Sequence, residues 1–408
     1  MNKFKRIIKY VLSFFKWILF GSFIGLTGGV IGSLFHICVD KVTELRIDNG
    51  FLVYFLPLGS LLIVFLYKLF EKSGRIDTNR VMESIRSDKD IPFIMVPLIF
   101  IGTVITHLVG GSAGREGAAL QIGGGIGYNI GRIFRLNHKD MHIVVMSGMS
   151  AVFAALFGTP VTAAFFAIEV IKVGKINYAG LVPCLISSVI AFEISNLFGV
   201  VPVRFNLAIH DISSDMLLKT IVIAVACALV SILFCLAIKY TETGMKKLFK
   251  NSYVRALVGA CIILLLSVVF SSGDYNGAGM NVISNAISGV SKPEAFLVKI
   301  VFTAITIAAG FKGGEIVPAF FVGSTLGCTL AGIIGLNPSL GASIGFIALF
   351  CGVVNCPVAS LLLAVEVFGS DMLIVFAVVC AVSYMMSGRY SLYESQKIYY
   401  SKYEDAKN

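Results

Sequence analysis

GSAGREGAALQIGGGIG, residues 111–127, sets an ionisable pair, Arg115 and Glu116, inside a very apolar chain. Seven glycines flank the pair, and an apolar, helix-like run follows it. Glycine lets a backbone approach a ligand closely and adopts angles closed to other residues. A helix starting near Gly117 would aim its free N–H groups, and its positive dipole end, at whatever sits beside Glu116. A carboxylate within a membrane is costly and marks a functional site by default. The plainer alternative is a Gly-rich turn braced by an Arg–Glu pair.

The surrounding composition makes that membrane setting the expectation. Of 408 residues, 57% are hydrophobic and 14% charged, against about 25% charged in a soluble protein. The reading is an all-α polytopic membrane protein without a large soluble domain. The net charge of +10 does not indicate nucleic acid, because the basic residues gather at the borders of apolar runs. They include Lys3, Lys5, Arg6, Lys9 and Lys16, then Lys239, Lys246, Lys247 and Lys250, then Lys397 and Lys402. The positive-inside rule makes these cytoplasmic edges, with both termini inside a plasma (inner) membrane. The first apolar run continues to about Val39 without a small-residue cleavage site, so it is expected to be retained.

The nine cysteines lie in apolar runs without a CxxC and read as small core residues. His138 and His142 fall in RLNHKDMH, expected to be a solvated connector rather than a metal site. No HExxH, GxSxG or Walker A pattern occurs, so neither an enzyme nor a metal or cofactor is expected.

Crossing about 30 Å of hydrocarbon takes about 20 helical residues, and several apolar runs are shorter. Short runs divided by Gly and Pro indicate discontinuous helices that meet inside the membrane. The chain also repeats itself. REGAALQIGGGIG (115–127) aligns with EIVPAFFVGSTLG (315–327) at an offset of 200. TPVTAAFFAIEV (159–170) aligns with CPVASLLLAVEV (356–367) at 197, pairing Glu169 with Glu366. RVMES (80–84) and NVISN (281–285) form a fainter third pair. The layout is therefore a basic segment and first helix over 1–40, a first repeat over 40–200, a second over 215–390, and a short cytoplasmic tail over 391–408. If the repeats are inverted, helix ends near Thr78–Asn79, Glu116–Ala118 and Glu315–Pro318 converge and form an anion site. Thr78 and Asn79 are good N-cap residues, and Pro318 suits a first helical turn.

GREG at 114–117, GGEIVPAFF at 313–321, SLY at 391–393 and the two-half layout together resemble the CLC family of anion channels and anion/proton antiporters. The resemblance spans nearly the whole chain. It implies a homodimer of subunits with separate pores and many tilted, broken helices. It makes Glu116 the gating glutamate, Tyr393 the central-site tyrosine and Thr78 the equivalent of the serine in GSGIP. Three departures matter: DTNRV replaces GSGIP, Val170 stands where chloride/proton exchangers carry an inner proton-transfer glutamate, and GGEIVP replaces GIFAP. These resemble the fluoride/proton antiporter branch, in which Phe320 and Phe321 match aromatic ion-coordinating positions.

The expected function is a proton-coupled fluoride exporter. A chloride/proton antiporter and a passive anion channel on the same fold are the alternatives. The expected site comprises Glu116 and Glu315 as proton-coupling groups, with Thr78, Asn79, Gly117, Ala118, Ile316, Val317, Phe320, Phe321 and Tyr393 around the anion. Glu315 either carries the inner proton or pairs with Lys312. Arg115 is expected to brace its loop, and Glu169 and Glu366 to make structural pairings near helix ends. Partners are fluoride or chloride, protons, the lipid bilayer and a second copy of the chain.

Overall fold

The computed structural model describes residues 3–70, 77–87, 89–207, 213–270, 273–399 and 402. The side chains of Lys3 and Arg6, residues 71–76 of the first charged connector and residues 403–408 of the expected tail lie outside this description. The described residues form sixteen α-helices that fall into two runs of eight. The first run is α1 (Lys3–Asp48), α2 (Leu56–Leu69), α3 (Thr78–Ser84), α4 (Met95–Val109), α5 (Glu116–Ile133), α6 (His138–Phe157), α7 (Pro160–Glu169) and α8 (Leu181–Leu197). The second is α9 (Ser214–Leu248), α10 (Ser252–Val269), α11 (Met280–Ile287), α12 (Ala295–Ala309), α13 (Ile316–Ile334), α14 (Pro338–Val354), α15 (Pro357–Phe368) and α16 (Leu373–Met386). Seven helices are long and apolar enough to cross a membrane, and six apolar helices are shorter. This is the mixture of full and broken spans expected from the uneven apolar runs.

The repeat is visible in the backbone. Helices α4, α5 and α6 begin 200 positions before α12, α13 and α14. Pro160 and Pro357 occupy the first turns of α7 and α15, where a missing N–H costs nothing. The residues before them, Thr159 and Cys356, share φ −122° and ψ 75°. Helix α6 ends on left-handed Gly158 and α14 on left-handed Asn355, one of the few other residues that tolerates this region. The helix pairs α5–α6 and α13–α14 cross at glycines so tightly that backbones touch. A Cβ on Gly148 would lie 2.0 Å from the Gly123 carbonyl oxygen, and one on Gly345 would lie 2.0 Å from that of Gly323.

The two runs lock together reciprocally. Gly114 and Gly314 exchange N–H···O bonds of 2.7 Å in an antiparallel bridge. Thr106 Oγ1 accepts from Lys312 N and Thr306 Oγ1 from Ser112 N, each at 3.1 Å. Glu366 accepts from the amides of Val161 and Thr162 at 3.0 and 2.7 Å. Glu169 accepts from Val358 and Ala359 at 3.2 and 2.8 Å. Each carboxylate thus caps the first turn of the equivalent helix in the other half, which is the structural pairing expected of them. Glu366→Ala is expected to destabilise the protein by about 1–3 kcal/mol, leaving two first-turn amides unsatisfied. Thermal unfolding in detergent tests this, and an unchanged melting temperature would show the cap to be dispensable.

Two expectations are corrected here. Asp77, not Thr78 or Asn79, caps α3: its side chain accepts from Arg80 N, because the helix starts one residue earlier than the polar pair suggests. His138 and His142 do not lie in a loop but in the first turns of α6, which Asn137 caps through Asp140 N. A strong N-cap followed by a long apolar run outweighs the local charge.

Candidate functional site

The first turns of α5 and α13 meet at the Gly114–Gly314 bridge, near the centre of the fold. Gly117 is part of this junction, since a Cβ there would lie 2.9 Å from Gly314 Cα. Glu116 is 1% exposed, and its side chain folds back so that Oε2 lies 2.3 Å from where a Gly114 Cβ would be. The amides of Arg115, Glu116 and Val317 face its carboxylate. The carboxylate therefore rests where the positive ends of α5 and α13 coincide. Its Oε2 has no hydrogen-bond partner among the described residues. Arg115 turns away and pairs with Asp40 at 2.5 Å, so it braces the loop as expected.

Two cavities reach this junction. One, of about 820 Å³, is lined by Asp77, Thr78, Gln121, Lys246, Glu315 and Tyr393, among others. The second, of about 760 Å³, is lined by Arg46, His107, Arg115, Glu116, Asn276 and Val317, among others. Helix α10 gives Arg255, near its start, to the first and Leu264, Ser267 and Val268, near its end, to the second. The cavities therefore open toward opposite ends of α10. The partition between them is the bridge, with Glu116 on one side and Glu315 on the other.

The remaining expected residues divide by position. Thr78 Oγ1 accepts from Gln121 Nε2 at 2.8 Å, and Asn79 Oδ1 accepts from Ser395 N at 3.0 Å. Tyr393 is 3% exposed, and its hydroxyl finds no hydrogen-bond partner among the described residues. The segment carrying it is held in place on both sides. Gln396 Nε2 donates to the carbonyls of Val170 and Val354 at 2.9 Å, and Lys397–Ile398 pair in parallel with Lys172–Val173. Ala118 and Ile316 are fully buried in the first turns of α5 and α13.

Phe320 and Phe321 line neither cavity. Phe320 stacks on Phe346 with centroids 3.8 Å apart, and Phe321 packs against Tyr275 and beneath the Lys299 ammonium. Successive residues of a helix point about 100° apart, so the two rings diverge into different surroundings. The Glu315–Lys312 ion pair is also not formed. Lys312 Nζ instead lies 4.2 Å from the centre of the Tyr67 ring, and Glu315 is left facing the first cavity.

Some polar groups at the site escaped the sequence reading. His107 and Lys299 are both fully or almost fully buried, within MVPLIFIGTVITHLV and AFLVKIVFTAITIAA. A single ionisable residue in such a run is itself a signal. Gln121, which holds Thr78, gave no comparable signal because the contact spans 43 positions.

The family model described as "Voltage gated chloride channel" matches residues 59–388. A chloride/fluoride channel protein of Pseudomonas syringae pv. tomato is 31% identical, with 99% of this chain and 91% of that protein aligned. The H(+)/Cl(-) exchange transporter ClcA of Vibrio cholerae is 24% identical over 86% of this chain and 82% of its own length. Among solved structures, a CLC-type fluoride/proton antiporter superposes with a TM-score of 0.90 at 33% identity, covering 94% of this chain and 98% of that one. A slow cyanobacterial Cl-/H+ antiporter, 19% identical with a TM-score of 0.80, shares the fold.

Proposed function

The chain belongs to the CLC family of membrane anion transporters and channels, and from that membership we propose that it exports fluoride in exchange for protons. The observation that carries the reading is the Glu116 carboxylate folded onto the joint amide ends of α5 and α13, between two cavities. An ionised Glu116 is a tethered anion that fills the site. A protonated one is neutral, is released by the dipole ends, and yields its place to a free anion. One residue thereby makes proton entry and anion exit alternate. The 33% identity to the solved CLC-type fluoride/proton antiporter supports fluoride as the anion. So does the absence of an inner glutamate at Val170, which is buried and has its carbonyl bonded to Gln396.

Fluoride is costly to dehydrate, and compact donors must replace its water. The Tyr393 hydroxyl, uncommitted and buried, and the amides of Gly117, Ala118, Ile316 and Val317 are the donors assigned here. Thr78 and Asn79 line the first cavity. That cavity also receives Lys239, Lys246, Arg255 and Arg389, so it faces the cytoplasm by the positive-inside rule, and the second faces outward.

Glu315, at the inner side of the partition, takes the place of the missing inner glutamate as proton acceptor. Glu315→Ala is expected to lower proton flux severalfold while changing equilibrium fluoride binding little. Turnover equal to wild type would return Glu315 to a packing role. The reading as a whole is tested by fluoride and chloride efflux from proteoliposomes with pH recorded. Fluoride efflux accompanied by proton uptake, with slower chloride efflux, is the expected result. Halide efflux indifferent to the pH gradient would make the protein a channel, and faster chloride exchange would make it a chloride/proton antiporter.

A further inference from the structure

The outward cavity carries more polarity than the exchange at Glu116 uses. Arg46, 7% exposed, lines it and donates from Nη1 to the His107 carbonyl at 3.0 Å. His107, 1% exposed near the end of α4, lines the same cavity. Its ring lies beside the Gly114 backbone without hydrogen-bond geometry, and neither ring nitrogen has a partner among the described residues. A neutral imidazole carries one donor and one acceptor, and leaving both unmade in the interior is costly enough to require an explanation.

The charges around the ring do not cancel. Asp40 is taken by Arg115 and His36, and Asp274 by Lys292. Arg46 meets no carboxylate within ion-pair distance among the described residues, and neither does Lys299. The latter is fully buried behind the cavity wall, with Nζ bonded to the carbonyls of Tyr275 and Gly277 at 3.1 and 2.7 Å. The only other carboxylate at this wall is Glu116 itself. The repeat shows that the histidine and the lysine are one-sided, whereas Arg46 has a basic counterpart, Lys246, lining the inward cavity. At the offset of 200, His107 corresponds to Ile307 and Lys299 to Ile99, and both isoleucines line the inward cavity.

We propose that His107 and Arg46 form a second anion site, in the outward cavity, where a halide-sized monovalent anion halts between the Glu116 position and the outer solution. The imidazole N–H supplies a direct donor to the anion, and the Arg46 guanidinium supplies the charge. The site rests on the reading of this chain as an anion transporter, but not on which halide it carries.

The test measures the concentration for half-maximal halide influx in proteoliposomes for wild type, His107→Leu and His107→Asn, with fluoride and separately with chloride. Loss of one hydrogen bond to a charged partner raises that concentration about tenfold in His107→Leu, with maximal rate preserved, for whichever halide the wild type transports. His107→Asn, which keeps a donor, restores most of the affinity. An unchanged half-maximal concentration in His107→Leu overturns the site. Should His107→Leu fail to fold, bromide-soaked crystals of the wild-type protein decide the matter by anomalous scattering. A peak between the His107 ring and the Arg46 guanidinium supports the site, and bromide bound only beside Glu116 and Tyr393 overturns it. If the wild type moves chloride rather than fluoride, the fluoride assignment fails while the chloride arm still judges the second site.

Discussion

Glu116→Gln is expected to move no protons at all, leaving fluoride to run only down its own gradient. The amide matches the carboxylate in size and keeps the packing against Gly114, but it neither ionises nor carries a proton. The alternation between tethered and free anion is therefore lost, while the cavities and the junction of α5 and α13 remain. Proton flux should fall about a hundredfold or more, the usual scale for removing an acid–base group. The measurement is pH recorded in weakly buffered proteoliposomes during fluoride efflux. A variant that still drives protons against their gradient at the wild-type rate would falsify the assignment of coupling to Glu116. Fluoride flux persisting without protons would locate coupling, and not conduction, in this one side chain.

Gly345→Ala is expected to abolish folded protein. At this position in α14 an added Cβ would lie 2.0 Å from the Gly323 carbonyl oxygen and 2.8 Å from its carbon. The obstacle is backbone within a helix, which cannot rotate away as a side chain does, so α13 and α14 must separate. Because α13 carries Ile316 and Val317 into the anion site, even a small separation would disrupt the junction with Glu116. The cost is placed at or above the roughly 3 kcal/mol upper range of overpacking. The yield of monodisperse protein on size exclusion, and its melting temperature, check this. Gly332→Ala, in the partner helix α13 but with open space at the Cβ position, serves as the control and should be tolerated. A Gly345→Ala protein that elutes and melts like wild type would show that the two helices pack more loosely than drawn.

Local signals carried much of the fold. GREG located the start of α5 within one residue, and the Pro160/Pro357 alignment paired two segments that the structure shows as helices entered with identical backbone angles. Such features depend on a residue and its immediate neighbours, so they are legible in the chain. Asp77 was missed as the cap of α3 because Thr78 and Asn79 beside it have the same propensity, and only hydrogen bonding separates them. Phe320 and Phe321 were grouped as one aromatic feature because adjacency in sequence hides their divergence around a helix.

The amino-acid sequence by itself determined the membrane setting, the two-fold internal repeat, the family and the identity of the buried acid at 116. These follow from composition, from period and from motifs a few residues long. Only the tertiary structure decided that Glu169 and Glu366 cap each other's halves, that Lys312 turns to Tyr67 rather than Glu315, and that His107 and Arg46 share one cavity wall. Those relations join residues from 61 to 245 positions apart. No local preference encodes them, since the partners meet only once both halves have packed.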